Sequence, residues 1–254
     1  MKQTIVAVIN QKGGVGKTTT AVNVAAQLAT EAKPVLLIDL DPQGNASSGL
    51  GIEKDSLDVT SYDVLFGRAP LDAAVRPSGR DGLFVLPANA NLAAAEIELA
   101  ELPQRESALR SALSVATYPY IFIDCPPALG LLTINALTAA TDLLIPVQSE
   151  YYALEGLGQL LATIQRVRQG LNPQLDLLGV VLTMFDKRTS LSEQVMAELQ
   201  THFGDKLFKT LVPRNVRLAE APSFGQTIFE HDRWSKGARS YKQLAKEVQK
   251  RVDG

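Results

Sequence analysis

Short runs of apolar residues alternate with longer amphipathic segments along most of the chain. The runs are rich in β-branched residues and predict buried strands, whereas apolar residues spaced three or four positions apart predict helices. The predicted strands are Thr4–Ile9, Val35–Leu40, Leu83–Leu86, Tyr120–Asp124, Leu143–Val147, Leu177–Met184 and Leu207–Val212. The predicted helices are Thr18–Thr30, the segment "NLAAAEIELA" at residues 91–100, Leu154–Gln169, Ser190–His202 and Gly237–Val252.

This order of elements predicts the fold class. Strands that are apolar throughout and are separated by helices indicate a doubly wound α/β fold, with a mostly parallel sheet covered by helices on both faces. We expect residues 1–254 to form a single domain, because the chain contains no long linker rich in Pro, Gly or Ser. Residues Asp55–Asp81 are the least regular segment and predict loops and short helices. Ligands of such folds bind beyond the carboxyl ends of the strands.

Composition narrows the class of protein. The chain has 254 residues, of which 46% are apolar, and no apolar run approaches the roughly 18 residues of a membrane span. The start, "MKQTIVAVIN", lacks the features of a secretory signal. We therefore expect a cytoplasmic protein, and the single cysteine, Cys125, is compatible with that environment. The net charge is −2, but residues 184–251 carry +5 and the rest carries −7. A basic segment can mark an anionic partner, although solvated helix faces give the same pattern.

The stretch "QKGGVGKTTT" lies between the first predicted strand and the first predicted helix. It fits the end of the phosphate-loop pattern G-x-x-x-x-G-K-[ST], but Gln11 stands in place of the first glycine. Glycines allow the backbone to curl and point its N–H groups at phosphate, and the helix N-terminus adds a positive dipole. Lys17 should reach the β- and γ-phosphates, and the Thr18 hydroxyl should bind Mg²⁺. Lys12 is a second lysine, for which a single phosphate loop has no need.

Carboxylates end two of the predicted strands. Asp39 and Asp41 end and follow the second strand, and Asp124 ends the strand "IFID". An apolar strand that ends in Asp is typical of phosphate-loop NTPases, in which the carboxylate orders Mg²⁺, usually through water. We expect Asp124, and with less support Asp39, to hold the metal in this way. Asp41 precedes a turn-rich segment and could orient the attacking water.

These motifs together resemble the ParA/MinD superfamily of ATPases. "KGGVGKTT" is similar to the superfamily's deviant Walker A motif. "DLDPQGNAS", "DCPP", "PVQSEYYALEG", "TMFDKRT" and "PRNVRLAEAPSFGQTI" look like the ParA/Soj branch, which segregates bacterial chromosomes and plasmids. The resemblance runs in order from about Lys2 to about Val252.

The resemblance implies roles for individual residues. Lys12 would cross to the phosphates of a partner subunit while Lys17 acts within its own chain, so that two subunits enclose two ATP molecules. Asp41 would position or activate water, and Asp39–Ser47 and Asp124–Gly130 would be the two switches. The implied ATP-binding residues are Lys12, Gly13, Gly14, Val15, Gly16, Lys17, Thr18, Thr19, Pro213 and Asn215. Met184 would pack near the adenine or belong to the core.

The resemblance also implies partners. ParA/Soj proteins bind double-stranded DNA without sequence preference, and a ParB-type partner stimulates their ATP hydrolysis. Arg188 and Arg217 match arginines that bind DNA in this family. Lys206, Lys209 and Lys236 could widen the basic surface, as could Arg233, Arg239 and Lys242. Phosphate contacts need only positive charge on a suitable surface. The expected location is therefore the cytoplasm, on the nucleoid.

Three other functions share the same phosphate loop. A MinD-like ATPase that cycles on membranes needs a C-terminal amphipathic helix with bulky apolar residues for the bilayer, which "ARSYKQLAKEVQKRVDG" does not suggest. An iron–sulfur reductase with a bridging cluster needs two thiolates from each chain, and this chain has one cysteine. A partitioning-like ATPase that distributes another cargo remains compatible with the sequence.

Overall fold

The computed structural model describes residues 3–150 and 153–253, without the side chains of residues 55 and 153–155. All described strands belong to one seven-stranded sheet with the order β3-β4-β2-β5-β1-β6-β7. Every neighbouring pair is parallel except β3 and β4, which are antiparallel. The strands are β1 (Thr4–Val8), β2 (Val35–Asp39), β3 (Arg76–Arg80), β4 (Leu83–Leu86), β5 (Tyr120–Asp124), β6 (Asp142–Gln148) and β7 (Asp176–Thr183).

The predicted helices are present, with additional short helices between them. The α-helices of the described residues are α1 (Lys17–Leu28), α2 (Asn45–Gly49), α3 (Ser61–Leu65), α4 (Leu71–Ala74), α5 (Ala95–Glu98), α6 (Ala108–Leu113), α7 (Leu131–Ala139), α8 (Ala153–Gly170), α9 (Ser190–Phe203), α10 (Val216–Glu220), α11 (Ile228–His231) and α12 (Lys236–Asp253). Short 3₁₀ helices flank α5 at Ala90–Ala94 and Leu99–Glu101. The expected α/β fold class is therefore confirmed.

The alternating side chains of the strands fill two separate cores. Ile5 and Ala7 of β1 pack with residues from α3, α4 and α6–α9 on one face of the sheet. Val6 and Val8 pack with α1, α2 and α12 on the other face. Successive strand residues point to opposite faces, so the central strands must be apolar throughout. This arrangement brings the ends of β1, β2, β5 and β7 to one edge of the sheet.

The prediction of a final strand at Leu207–Val212 is wrong. This segment lies beside β7 but makes only isolated bridges, at Val180–Leu207 and Phe185–Pro213. Within it, only the backbone N–H groups of Phe208 and Val212 donate to β7, to the carbonyls of Val180 and Leu182 at 2.8 and 2.9 Å, so no continuous ladder forms.

The irregular segment Asp55–Asp81 contains the expected short helices and also an edge strand. The sequence of β3, "RPSGR", is polar and interrupted by proline and glycine, which hides it from a search for apolar runs. A signal was present in Asp81-Gly82, a pair typical of tight turns between antiparallel strands. Gly82 has a φ of +68°, and a Cβ there would lie 2.1 Å from the Thr30 oxygen.

Candidate active site

The phosphate loop, residues 9–16, joins the end of β1 to α1. Gly14 and Gly16 have φ values of +75° and +89°, which side-chain-bearing residues rarely adopt. A Cβ added at Gly13 or Gly14 would meet no described atom within 4 Å. The loop therefore presents bare backbone to open space, the arrangement in which N–H groups can surround a phosphate.

Residues from two other strands hold this loop in place. The Asn10 side chain donates to the carbonyl of Pro146 in β6 at 2.7 Å and accepts from the N–H of Lys12 at 3.0 Å. The Thr183 hydroxyl at the end of β7 donates to the carbonyl of Val15 at 2.8 Å. Because both anchors come from the sheet, the loop is fixed before any ligand binds.

Lys17 is the first residue of α1 and its side chain is buried. Its ammonium group donates to the carbonyl of Lys12 at 3.1 Å, within the loop itself. Burial lowers the pKa of Lys17, and the nearby carboxylates of Asp124 and Asp41 oppose that shift. A buried cation that is aimed into an open loop is well placed to meet an anionic ligand.

Asp39 and Asp124 end neighbouring strands and face each other in the sheet register. Asp39 is fully buried, and its carboxylate accepts hydrogen bonds from the N–H and hydroxyl of Ser47 at 2.8 and 2.7 Å. It also accepts from the N–H of Asp41 at 3.2 Å. Burial raises the pKa of Asp39 to about 6, although these hydrogen bonds oppose the shift. Asp39 thus organises the β2 loop, residues 39–47, through its own oxygens.

Asp124 has the opposite character. It is also fully buried, but no described group makes a hydrogen bond of normal geometry with either of its carboxylate oxygens. Burial and the nearby Asp39 raise the pKa of Asp124 well above its usual range, while the Thr18 hydroxyl and Lys17 oppose the shift. Buried carboxylates are normally satisfied, so this one is arranged for a group that binds beside it.

These residues fit a magnesium ion that is bound together with a nucleotide. Hydroxyl and carboxylate oxygens such as those of Thr18 and Asp124 are hard ligands of the kind that Mg²⁺ prefers. Among the described residues, no group of three or more His, Cys, Asp or Glu side chains could hold a metal ion. An ion at this place would therefore depend on phosphate and water oxygens for most of its ligands.

Asp41 lies in the β2 loop, close to Lys17. Its side chain is 9% exposed and accepts a hydrogen bond from the N–H of Gln43 at 2.9 Å. The loop then turns through Gly44, whose φ is +60°. This turn keeps the Asp41 carboxylate beside the phosphate loop, where it can accept a proton or orient a water molecule.

The Lys12 side chain is paired with a residue outside the phosphate loop. Its ammonium group forms an ion pair with Glu150, at 2.7 Å. Glu150 also accepts from the Gln148 side chain at 2.5 Å. The motif "PVQSEYYALEG" contains Glu150 but by itself predicts no role for this residue. Tyr151 and Tyr152 of that motif lie outside the described residues.

A cavity adjoins the phosphate loop. It has a volume of about 390 Å³ and is lined by Gly16, Thr19, Thr183, Met184, Val212, Pro213, Arg214, Asn215, Val216, Leu218, Ala219 and Tyr241. Pro213, Asn215 and Met184, which were expected near a base, are thus brought together beside the loop. Met184 has a φ of +52°, which turns the chain at this cavity. Tyr241 of α12 also lines the cavity, and its hydroxyl lies 3.1 Å from that of Thr20 in α1.

Comparison with known proteins agrees with this geometry. A family model described as an AAA domain matches residues 3–177. The chain is 55% identical over 247 residues to the chromosome-partitioning ATPase Soj of Thermus thermophilus, covering 97% of this chain and 96% of that protein. It is 52% identical over 249 residues to the chromosome partitioning protein ParA of Caulobacter vibrioides, covering 96% and 93%. The chain belongs to the ParA/Soj family of chromosome-partitioning ATPases.

Solved structures extend the comparison to ligands in relatives. A Mycobacterium smegmatis structure described as cobyrinic acid a,c-diamide synthase contains an ATP analogue and magnesium. It shares 38% identity with this chain, a TM-score of 0.86, and coverage of 100% of this chain and 97% of that one. An ATP complex of McdA from Cyanothece has the same TM-score of 0.86 at 23% identity and shows the shared fold.

Five basic residues expected at a DNA surface, Arg188, Lys206, Lys209, Arg217 and Lys236, lie in three places. Arg188, Lys209 and Lys236 line one groove of about 860 Å³, together with Lys187, Arg214 and Arg239. We call this set the basic groove. Arg217 lies outside its lining and pairs with Glu220 at 2.8 Å and with Asp232 at 3.7 Å.

Lys206 is not brought to the basic groove. It pairs with Asp176 at 2.9 Å, at the beginning of β7, whereas the groove lies beyond the end of that strand. The expectation that Lys206 widens the same surface is therefore not supported by its position. Its neighbour Lys209 reaches the groove because residues 207–213 run alongside β7 toward the strand's carboxyl end.

Proposed function

We propose that this ParA/Soj-family chain is an ATP-dependent switch for DNA segregation. The observation that carries the proposal is the open glycine loop with buried Lys17 beside the unpartnered carboxylate of Asp124. The loop's N–H groups and Lys17 would bind the phosphates of ATP, and the adjoining cavity at Pro213 and Asn215 would hold the adenine. Thr18 and, through water, Asp124 would hold Mg²⁺, with Asp39 supporting the loop that faces it.

Hydrolysis would require residues from the β2 loop and from a second chain. Mg²⁺, when bound, neutralises charge on the phosphates. Asp41 would orient the attacking water, since its carboxylate lies near Lys17 on a loop fixed by Asp39. Lys12 would leave Glu150 and contact the γ-phosphate bound by a partner chain, adding a second cation where charge spreads over the phosphate oxygens. The homodimer would therefore depend on ATP.

DNA binding would follow from dimer formation. The basic groove and Arg217 would contact phosphates without reading sequence, because nothing in the chain's charge pattern selects a base. Two grooves on one dimer would raise the affinity for a long duplex above that of either groove. A ParB-type partner would stimulate hydrolysis and release the dimer from the nucleoid. The same switch could distribute another cargo, and the partner's identity decides between them.

Membrane cycling is the least supported alternative. No described helix is long and apolar enough to cross a membrane. The apolar residues Tyr241, Leu244, Ala245 and Val248 of α12 are buried against the sheet and α1. A bilayer-binding helix would need such residues free to leave the protein. We therefore expect no ATP-dependent binding to vesicles of anionic lipid.

The decisive experiment compares Asp41→Ala with ATP and with ADP, by size-exclusion chromatography and by binding to a long duplex of random sequence. We expect a stable dimer that binds DNA with ATP, and a monomer without DNA binding with ADP. An Asp41→Ala protein that is monomeric with both nucleotides would contradict the switch. Lys12→Ala should remain monomeric with ATP, and a persistent dimer would remove its role across the interface.

The DNA surface is tested by matched charge reversals. Arg217→Glu should form the ATP dimer but bind DNA at least about tenfold more weakly, and wild-type binding should fall steeply with salt. Lys206→Glu makes nearly the same charge change at the other edge of the sheet and should bind DNA nearly as the wild type does. Equal losses in the two variants would show that net charge, rather than this surface, governs binding. Retention on anionic vesicles instead of DNA would favour the membrane alternative.

A further inference from the structure

Glu96 provides the N-terminal cap of α7, although it is far from that helix in sequence. Its carboxylate accepts hydrogen bonds from the backbone N–H groups of Leu131 at 2.7 Å and Leu132 at 3.2 Å. The local cap residue is Gly130, which has no side chain to offer. A Cβ at Gly130 would lie 2.4 Å from the Glu96 oxygens, so the glycine also makes room for the carboxylate. The first N–H groups of a helix need such acceptors, and a negative charge there is favourable.

This contact fixes one end of the β5 loop, residues 124–130. The loop leaves β5 at Asp124 and enters α7 at Leu131, directly after the glycine that faces Glu96. The first end is held by the sheet, since the N–H of Cys125 donates to the carbonyl of Val8 at 3.3 Å. The second end is held by Glu96. Asp124 therefore begins a loop whose far end depends on Glu96.

The chain segment that ends at Glu96 contacts the β2 loop through its first residue, Ala88. The N–H of Ala88 donates to the hydroxyl of Ser47 at 3.0 Å, and that hydroxyl donates to Asp39. A Cβ at Gly44 would lie 2.7 Å from the carbonyl oxygen of Ala88, so the turn after Asp41 also packs against this residue. Residues 88–96, which we call the bridge segment, thus contact both loops that carry the site's carboxylates.

The bridge segment is anchored in the core between these two contacts. Leu92 and Ala95 are fully buried in one of the two cores. Asn89 is 8% exposed, and its side-chain oxygen accepts from the N–H of Asn91 at 3.1 Å, which begins the 3₁₀ helix. Because the segment is short and well packed, we expect a displacement of the residues at one end to displace those at the other end.

We propose that Glu96 is a positioning residue for ATP hydrolysis, which holds the β5 loop through the N-terminus of α7 and couples it, through the bridge segment and Ser47, to the β2 loop that carries Asp41. The inference rests on the proposed function, because it assumes that both loops face the nucleotide. It adds a contact between them that does not pass through the nucleotide or the sheet.

The test uses Glu96→Gln, with Glu98→Gln as its matched control. Glu98 lies on the same short helix, but its carboxylate accepts from the Tyr62 hydroxyl at 2.8 Å and pairs with Arg68 at 3.1 Å, away from both loops. The side chain of glutamine has the same length, but it carries no charge and cannot present two acceptor oxygens to two N–H groups. We expect kcat of Glu96→Gln to fall on the order of tenfold with KM changed less than about twofold, because misplaced groups cost rate. Glu98→Gln should keep both constants.

Amide hydrogen exchange of the nucleotide-free protein tests the coupling independently of catalysis. Glu96→Gln should accelerate exchange in residues 125–134 and also in residues 41–49, and Ser47→Ala should accelerate both as well. Because the two residues act through one segment, the double variant should lose little more kcat than the worse single variant. Exchange that changes only at residues 125–134, or a kcat equal to that of Glu98→Gln, would overturn the inference. A wild type that neither hydrolyses ATP nor dimerises with it would instead overturn the proposed function.

Discussion

The two ends of β5 differ in how their polar groups are satisfied. At the amino end, the Tyr120 hydroxyl donates to Asp253 at 2.5 Å, and Lys33 pairs with the same carboxylate at 3.8 Å. At the carboxyl end, the Asp124 oxygens have no described hydrogen-bond partner. Tyr120 lines a cavity of about 500 Å³ at the amino end, whereas no residue of β5 lines the cavity of about 390 Å³ beside the phosphate loop. The cavity at the amino end is thus bordered by polar groups that bond one another, so unmet hydrogen-bonding capacity, and not the presence of a cavity, distinguishes the carboxyl end.

Arg251, near the amino ends of the strands, is held by several hydrogen bonds. Its guanidinium group donates to the carbonyls of Leu178, Asp205, Lys206 and Leu207, at 2.7 to 3.0 Å. It also lies 3.9 Å from the centre of the Phe208 ring. These contacts fasten α12 to the segment beside β7. The charge of Arg251 is thus fully used within the fold, unlike that of Asp124 at the other edge.

The largest effect should come from Lys17→Ala at the carboxyl edge. Removing the cation that faces the phosphates should lower ATP hydrolysis by at least about 100-fold, because the loop's other cation, Lys12, is paired with Glu150 and is proposed to act on the partner chain. Steady-state hydrolysis at saturating Mg²⁺ and ATP measures the loss. Thermal unfolding without nucleotide is the control, and it should change little. A variant with more than about a tenth of wild-type activity would contradict the assignment.

Asp124→Asn should separate activity from stability. The pKa of Asp124 is raised in the folded state, so the folded protein is most stable when this carboxyl group is protonated. That contribution to the free energy of unfolding is lost as the pH rises above the ordinary pKa of 3.8. The uncharged amide should lower hydrolysis about tenfold or more, yet raise the free energy of unfolding at pH 7 by about 1–3 kcal/mol without nucleotide. Urea unfolding at pH 4 and pH 7 measures it, with the larger gain at pH 7. A variant that is less stable at pH 7 would show that the carboxylate is structurally satisfied.

Arg251→Ala should have the reverse outcome at the amino edge. Loss of several charge-assisted hydrogen bonds and the contact with Phe208 should cost about 2–3 kcal/mol of unfolding free energy. Its kcat for ATP should stay within about twofold of the wild type, since the residue lies at the opposite edge from the phosphate loop. Lys246→Ala, an exposed change on the same helix, is the control and should be neutral. A tenfold fall in kcat at unchanged stability would show that Arg251 acts in catalysis and not in stabilising the fold.

Tyr120→Phe should give the smallest effect. Losing the hydrogen bond to Asp253 should cost about 1 kcal/mol at neutral pH. Burial and Asp253 raise the pKa of Tyr120 to about 12 from 10.0, so wild-type stability declines between these pH values as the unfolded chain ionises first. The variant lacks this contribution, and its deficit should shrink toward pH 12. Urea unfolding at pH 7 and pH 10.5 measures the change, and a constant deficit would refute the pKa shift.

Much of the fold could be predicted because its signals are local. The parallel strands and the helices α1, α8, α9 and α12 were placed within two residues of their observed ends, since apolar periodicity depends on neighbouring positions. Helices α6 and α7 were not predicted, and the helix expected at residues 91–100 is α-helical only at Ala95–Glu98. The strand expected at Leu207–Val212 was wrong because its apolar run is a local signal, whereas only the tertiary contacts show that two of its N–H groups, those of Phe208 and Val212, bond β7. The edge strand β3 was missed because an edge position tolerates a polar sequence with proline and glycine.

The residues of the candidate site were likewise predicted where their signals are local and missed where their partners are distant in sequence. The phosphate loop, Asp41 and Asp124 were predicted because each lies at a strand end that the sequence marks. Glu150, Glu96 and the two carboxylates beside Arg217 were missed as contacts because nothing near them in sequence specifies their partners. Only packing could show that Lys206 and Lys209, three positions apart in sequence, lie toward different edges of the sheet.

The sequence by itself determined the order of the parallel strands and of the four longest helices, the glycine-rich loop with its two lysines, and the acidic strand ends. These features are set by backbone propensity, apolar periodicity and fixed spacing, which act over a few residues. The tertiary structure decided which polar groups are satisfied: Asp39 by Ser47, Lys12 by Glu150, and Tyr120 by Asp253, whereas no described group makes a hydrogen bond of normal geometry with Asp124. Hydrogen bonding and burial join residues far apart in the chain, so these pairings exist only once the sheet has brought its strand ends together.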